Sequence, residues 1–419
     1  MTAPKLRFKE FDGNWDIYAL EDQIDFLAGY AFDSKLMSND IQKYQLIKMS
    51  NVYQNQLDLT RNSSYWEKID KKTEKFLLKK GDIVLTLTGT VGKTDYGYNV
   101  EIKENDKFLL NQRLVRLRGK IDFSLSKFVQ YRISTDKFFY HFFNSSKGGT
   151  GNQSNVSIED LKLLELSFPS KAEQTKIATF LSAVDEKISQ LTQKHELLSQ
   201  YKQGMMQKLF SQQIRFKADD GSEFGEWRKA KVGNITETIF GYPFDSKEMV
   251  EDNNGIPLMR GINIGECHIR HSFELDRFFL KDTSKLEKYF VRVNDIVLSM
   301  DGSKVGRNSA FVTEKDAGSL LVQRVCILRE KENTNIQYVY QWIISKEFHR
   351  YVDQVKTSSG ITHISGKQIQ DYEISYPCLE EQTKIANFLS AIDQKIGVVA
   401  QQIEHAKQWK KGLLQQMFV

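Results

Sequence analysis

Cysteine is scarce in this sequence: Cys267, Cys326 and Cys378 are the only three in 419 residues, and all fall in the second half. Three thiols cannot build a disulfide framework, which points to a reducing, cytoplasmic setting. No apolar run approaches the ~20 residues of a membrane span. Residues 1–10 are polar and basic, without the core of a signal peptide. The signatures of most nucleotide and group-transfer chemistry are also missing. There is no glycine fingerprint for a dinucleotide or S-adenosylmethionine, and no Asn/Asp-Pro-Pro-aromatic tetrapeptide of amino-methyltransferases. Glu101-x-Lys103 lacks an acidic partner at nuclease spacing. Gly89-Thr90-Val91-Gly92-Lys93-Thr94 approaches a P-loop, but Leu87 stands where the leading glycine is needed and Asp95-Tyr96-Gly97-Tyr98 reads as a turn. Cys267-His268-x-x-His271 has no second cluster nearby and is too little for zinc. By elimination the chain reads as non-catalytic, with no metal and no cofactor of its own.

Charge is nearly balanced, at a net +5. The excess lies in residues 1–211, with 31 Lys+Arg against 26 Asp+Glu; residues 212–419 carry 28 of each. A dense run, Lys68, Lys71, Lys72, Lys75, Lys79 and Lys80, reads either as a solvated helix face or as a contact for phosphates, since cations near a duplex release counterions whatever its sequence.

What the chain does have is a long internal repeat. Glu173-Gln174-Thr175-Lys176-Ile177-Ala178 returns as Glu381-Gln382-Thr383-Lys384-Ile385-Ala386, and the likeness continues without gaps to the end, with about half the positions identical. In the first copy Ile177, Leu181, Val184, Ile188, Leu191, His195, Leu198, Lys202, Met205 and Leu209 follow in steps of four and three. Ile385, Leu389, Ile392, Ile396, Val399, Ile403, Ala406, Lys410, Leu413 and Met417 do the same in the second. Such a heptad seam predicts two long helices that pair, each on the order of 60 Å long. The alternative is two unrelated amphipathic helices, each on its own domain, which matched identity off the seam argues against. Pro169 and Pro377 precede the helices, and Ser170-x-x-Glu173 forms a capping box that Cys378 weakens in the second copy. Gly204 and Gly412 recur off the seam and suggest a bend or the close approach of a partner.

Shorter markers repeat in the same order. Gly29-Tyr30-Ala31-Phe32-Asp33-Ser34-Lys35 matches Gly241-Tyr242-Pro243-Phe244-Asp245-Ser246-Lys247, and Leu110-Asn111-Gln112-Arg113-Leu114 matches Leu321-Val322-Gln323-Arg324-Val325. The chain is thus two copies of one unit, each a domain followed by a helix. Ile83–Leu87, Arg113–Leu117, Asp295–Met300 and Arg324–Leu328 read as strands, and Leu125–Phe143 and Ile336–Val352 as long aromatic-rich helical stretches. With no regular βαβ rhythm, the class is α+β. The connectivity predicts antiparallel helices with the two domains at opposite ends. The boundaries fall at 1–168, 169–212, 213–376 and 377–419.

Two polar loops in each unit are candidate nucleic-acid contacts. The first holds Thr90 and Lys93, matched by Ser303, Lys304 and Arg307; backbone N–H groups with a cation would suit a phosphate, and an ordinary hairpin turn explains the pattern equally. The second holds Lys147, Asn152 and Gln153, matched by Ser358, Thr362 and His363; amides and hydroxyls on a flexible loop suit base edges or a plain surface loop. Lys35 and Lys247 join the candidate DNA contacts. The candidate pairing and docking positions are Ile177, Leu181, Val184, Ile188, Leu191 and Gly204 on one helix and Ile385, Leu389, Ile392, Ile396 and Gly412 on the other.

The motif Pro169–Glu173–Gln174–x–x–Ile177–Ala178 with Phe180-Leu181-Ser182, the ending Tyr201-Lys202-Gln203-Gly204-Met205-Met206-Gln207-Lys208-Leu209-Phe210, and their repeats resemble the specificity subunit of type I restriction–modification systems over essentially the whole chain. The resemblance implies two target-recognition domains, each reading half of a split DNA site. It implies an antiparallel helical spacer docking two methyltransferase subunits, with motor–nuclease subunits completing the complex. It also implies N6-adenine methylation of a flipped base, with S-adenosylmethionine, ATP and Mg on the partner subunits. Rival readings are a stand-alone DNA-bridging protein, a one-chain enzyme and the specificity subunit of a related two-subunit restriction system.

Overall fold

The computed structural model describes residues 3–148, 153–357 and 362–418. The fold is α+β: two repeated sheet-and-helix units and two long helices, Lys171–Phe210 and Leu379–Met417. The compact units are Met1–Thr192 with Gln401–Val419, and Gln193–Ala400, so each long helix gives one half to each unit. Among the described residues no helix is long and apolar enough to cross a membrane.

The two units share their sheet topology. The first builds a four-stranded antiparallel sheet in the order Ile24–Ala28, Leu114–Gly119, Ile83–Thr86, Asn99–Glu101. The second repeats it with Thr236–Phe240, Val325–Glu330, Ile296–Ser299 and Ser309–Phe311. A smaller sheet in each carries one parallel pairing, Phe108–Leu110 on Tyr44–Ile47 and Leu320–Leu321 on Ile256–Met259. The Val/Ile/Leu-rich strands Ile83–Thr86 and Ile296–Ser299 are buried at every position because helices or loops cover both faces. The repeated glycines 29 and 241 have a steric reason. A Cβ on Gly29 would lie 1.9 Å from the Asn111 carbonyl oxygen, and one on Gly241 2.0 Å from that of Val322.

Three sequence expectations are corrected. The stretch Leu125–Phe143 is two helices, Ser126–Arg132 and Asp136–Asn144, and Ile336–Val352 is likewise divided into Ile336–Ile343 and Lys346–Val355. The breaks occur where Thr135 and Ser345 cap the second helix, their hydroxyls accepting from Phe138 N and Phe348 N at 3.2 Å. The lysine run at 68–80 lies on turns and a short 3-10 segment, Glu74–Phe76, rather than on a helix face. The capping box is only half made: Glu173 N reaches Ser170 Oγ at 3.4 Å, while the Glu173 carboxylate turns elsewhere.

That carboxylate, 1% exposed, accepts from Arg7 Nε and Nη2, both at 2.8 Å, and from Trp15 Nε1 at 3.3 Å. In the second unit Glu381 accepts from Arg215 Nε and Nη2 at 3.1 and 2.7 Å and from Trp227 Nε1 at 2.8 Å. The glutamines beside them do similar work. Gln174 bonds Pro169 O, Phe123 O and Leu125 N, and Gln382 bonds Pro377 O, Asn333 O and Asn335 N. The duplicated Glu-Gln thus locks the start of each long helix onto its own unit. A buried charge is tolerated there because both oxygens of each carboxylate accept hydrogen bonds, two of the three from a guanidinium.

The seam pairs the helices antiparallel. In the first unit Ile177, Leu181 and Val184 pack with Leu413, Met417 and Phe418, and in the second Ile385, Leu389 and Ile392 pack with Met206, Leu209 and Phe210. Ile188 and Ile396 are half-buried at the edges of these clusters, and Leu191 is buried. Two ion pairs fix the register. Lys410 Nζ lies 2.6 Å from Asp185 in one unit, and Lys202 Nζ 2.6 Å from Asp393 in the other. Each aspartate accepts a second bond from its own unit, from Tyr131 OH at 2.7 Å or Gln341 Nε2 at 3.1 Å.

Candidate nucleic-acid interface

The two polar loops of the first unit, distant in sequence, come together as one ribbon. Gln153–Asn155 pairs antiparallel with Thr88–Thr90 on one side and Lys147–Gly148 on the other, setting Gln153 opposite Thr90 and Asn155 opposite Thr88. A hydroxyl cluster fixes it from beneath: Tyr96 OH, in a side chain 2% exposed, donates to Ser146 Oγ at 2.6 Å and reaches Ser154 Oγ at 3.1 Å. Gly89 is required there, since a Cβ would meet the Tyr96 ring at 2.2 Å. Asp95 closes the turn, accepting from Thr90 N at 2.8 Å and Thr90 Oγ1 at 2.7 Å, and these bonds hold its carboxyl below the usual range. Gln153 and Lys93 are exposed on this ribbon. A cleft of about 410 Å³ runs beside it, lined by Leu87, Thr88, Arg113, Gln153, Asn155 and Ile158.

The second unit brings the matching loops together with fewer bonds. Asp301 bridges His363, Gly302 N donates to Thr362 O at 2.9 Å, and Ile364 N donates to Met300 O at 2.9 Å. Thr357 Oγ1 and His363 Nδ1 lie 2.9 Å apart, and Ser303 is exposed. Asn152 and Ser358 lie outside the described residues. Lys35 and Lys247 are exposed beside matching Asx turns, where Asp33 and Asp245 accept from their backbone N–H groups at 3.0 and 2.9 Å.

The cations after the second-unit loop are already engaged. Lys304 pairs with Glu266 at 2.8 Å, and Arg307 meets Asp353 through two bonds of 3.2 and 2.5 Å. Bonds from Arg307 and Lys356 hold the Asp353 carboxyl far below the carboxylate range. A phosphate reaching Arg307 must therefore displace a carboxylate. His271 lies 2.9 Å from Asp316, and His268 Nδ1 lies 2.8 Å from Glu266 O. Among the described residues no group of three or more His, Cys, Asp or Glu is placed to hold a metal ion. Among the described residues Gly204 and Gly412 have nothing within 4 Å of where a Cβ would stand, so no close approach among those residues explains them.

The residue types in the sequence point to these loops but not to their pairing, nor to the Tyr96 cluster. The alternation at Gln153-Ser154-Asn155 was the available signal, obscured by the glycines before it.

Two repeated units, each bringing its two polar loops together at the same place in the fold, define a protein built from a duplicated sheet-and-helix domain. Residues 12–200 and 225–408 each match the family described as the type I restriction modification DNA specificity domain, and the chain belongs to that family. It is 24% identical to the type I restriction enzyme MjaVIII specificity subunit of Methanocaldococcus jannaschii, over 97% of this chain and 94% of the relative. It is 28% identical to the EcoAI specificity subunit of Escherichia coli over 189 residues, 43% of this chain and 31% of the relative. The S subunit of a type I restriction–modification system from M. genitalium superposes with a TM-score of 0.62 at 18% identity, covering 100% of this chain and 99% of that one. A chain from a structure on complex assembly and conformational transition of the type I system gives 0.51 at 14% identity, covering 96% and 97%. These likenesses establish the fold.

Proposed function

We propose that this chain is the DNA-reading subunit of its complex, non-catalytic itself, with each unit reading one half of a bipartite, asymmetric site. The paired helices set the gap between the halves and dock two methyltransferase subunits that methylate adenine. S-adenosylmethionine, ATP and Mg belong to those methyltransferases and to motor–nuclease subunits. One observation carries the reading. The two polar loops of a unit pair at the same place in both copies, yet offer different groups: Thr90, Gln153 and Asn155 in one, Ser303, Thr362 and His363 in the other. A fold repeated with its presented side chains changed is suited to reading two different sequences in the same manner.

The chemistry fits base edges. Amides pair bidentately with adenine, and hydroxyls accept or donate as the base demands. Exposed lysines such as Lys35, Lys93 and Lys247 supply sequence-independent attraction to phosphates. Neither head need bind tightly alone, because linking two weak readers raises the effective concentration of the second.

Co-expression with a type I methyltransferase subunit and genome-wide mapping of methyladenine tests this. The expected result is one split motif with unlike halves, absent without this chain. Methylation independent of the chain, or at one contiguous motif, would refute it. Methyl transfer by the purified chain alone would revive the one-chain enzyme.

A further inference from the structure

The pair Gln112-Arg113 and Gln323-Arg324 stands at the same place in the two copies, and its backbone is unusual. Arg113 has φ +68° and Arg324 φ +69°, left-handed values that side-chain-bearing residues rarely adopt. Glycine would sit there without strain, yet both copies carry arginine. Strain kept at a matched position marks a place where a particular side chain is delivered. The carbonyl of each arginine ties the main sheet to the reading loop. Leu87 N donates to Arg113 O at 3.2 Å, and Met300 N to Arg324 O at 2.8 Å.

Both side chains are exposed, and among the described residues neither makes an ion pair or side-chain hydrogen bond. Their neighbours differ. Arg118 on the strand that follows Arg113 is held by Asp82 at 2.6 Å, Arg329 by Asp295 at 2.8 Å, and Arg307 by Asp353. Arg113 also lines the cleft beside the ribbon, with Thr88, Gln153 and Asn155.

We infer that Arg113 and Arg324 are a matched pair of sequence-independent contacts, each holding a backbone phosphate of the half-site its own unit reads. The inference rests on the DNA-reading function proposed above. A group identical in both units cannot distinguish two unlike half-sites, so its target is what every duplex shares. A guanidinium fork matches phosphate oxygens bidentately, and a fixed backbone under it sets the register in which the neighbouring loop meets the bases.

The test uses the chain assembled with its methyltransferase subunits, on a duplex bearing the mapped site and on a scrambled duplex. Arg113→Gly and Arg324→Gly relieve the backbone strain, so the thermal midpoint should hold or rise, which separates lost contact from lost fold. Each should weaken binding about tenfold on both duplexes alike. Each should also make the slope of log K against log salt shallower by about 0.9, as for one lost phosphate. Arg113→Lys should recover most of the slope. Unchanged affinity and slope would overturn the inference, as would discrimination lost at one base pair with the slope intact. A wild-type complex that failed to prefer the mapped site would instead strike at the DNA-reading function.

Discussion

Replacing Gly204 and Gly412 with alanine should move stability and assembly in opposite directions. Both glycines lie inside long helices, Lys171–Phe210 and Leu379–Met417, and among the described residues a Cβ at either meets nothing within 4 Å. Glycine in a helix interior costs about 1 kcal/mol relative to alanine, because the unfolded chain loses more freedom there. With no clash to offset that gain, each substitution should stabilise by about 1 kcal/mol, and the two, in different units, should add. In a unit of 150–250 residues 1 kcal/mol corresponds to roughly 2–4 °C, so calorimetry on the double variant should show each unit's transition rise by about 2–4 °C. If a methyltransferase helix packs on these bare faces, the added methyl groups should nonetheless reduce co-purification of the subunit. Unaltered co-purification would reject a docking role for the glycines. A lowered midpoint would refute the reasoning about the helices themselves.

Removing the Glu381 carboxylate by Glu381→Ala strands Arg215 and Trp227, and a broken buried pair costs about 3 kcal/mol, readable in urea unfolding. Glu173→Ala should do the same through Arg7 and Trp15, and the double change Arg215→Met with Glu381→Leu should cost less than Glu381→Ala alone. The Asp353 carboxyl is depressed by Arg307 and Lys356, so its stabilisation is complete above about pH 4 and fades as pH falls further. The advantage of wild type over Asp353→Asn should thus be level from about pH 5 to 8 and shrink below about pH 4. Gln153→Ala should alter only the half-site read by the first unit and His363→Ala only that of the second, as methylation mapping would reveal; a change in both halves from either would contradict separate heads.

The repeat, the seam and the α+β class were legible because they depend on periodicity and self-likeness, which a sequence carries openly. Other features depend on contacts that only folding creates. Glu173 looked like a capping residue because Ser170 stands three places before it; its true partners, Arg7 and Trp15, are 166 and 158 residues away. Thr135 and Ser345 lie inside the stretches that read as single long helices and are the caps that begin new ones. The lysine run from 68 to 80 has helix-like composition, yet its Asp70 folds back on Thr73, accepting from its N–H and hydroxyl at 2.7 Å and closing a turn. At the candidate interface, residue types pointed to the loops, but the pairing of residue 90 with residue 153 is a long-range register that no local pattern encodes.

Adding four residues after Gln190 and mapping the methylated sequence would show whether the paired helices set the gap between the half-sites. About 6 Å of extra helix corresponds to on the order of one or two base pairs. Both half-sites should be retained and the gap between them changed; an unchanged gap in an active complex would contradict a spacer role for the helices.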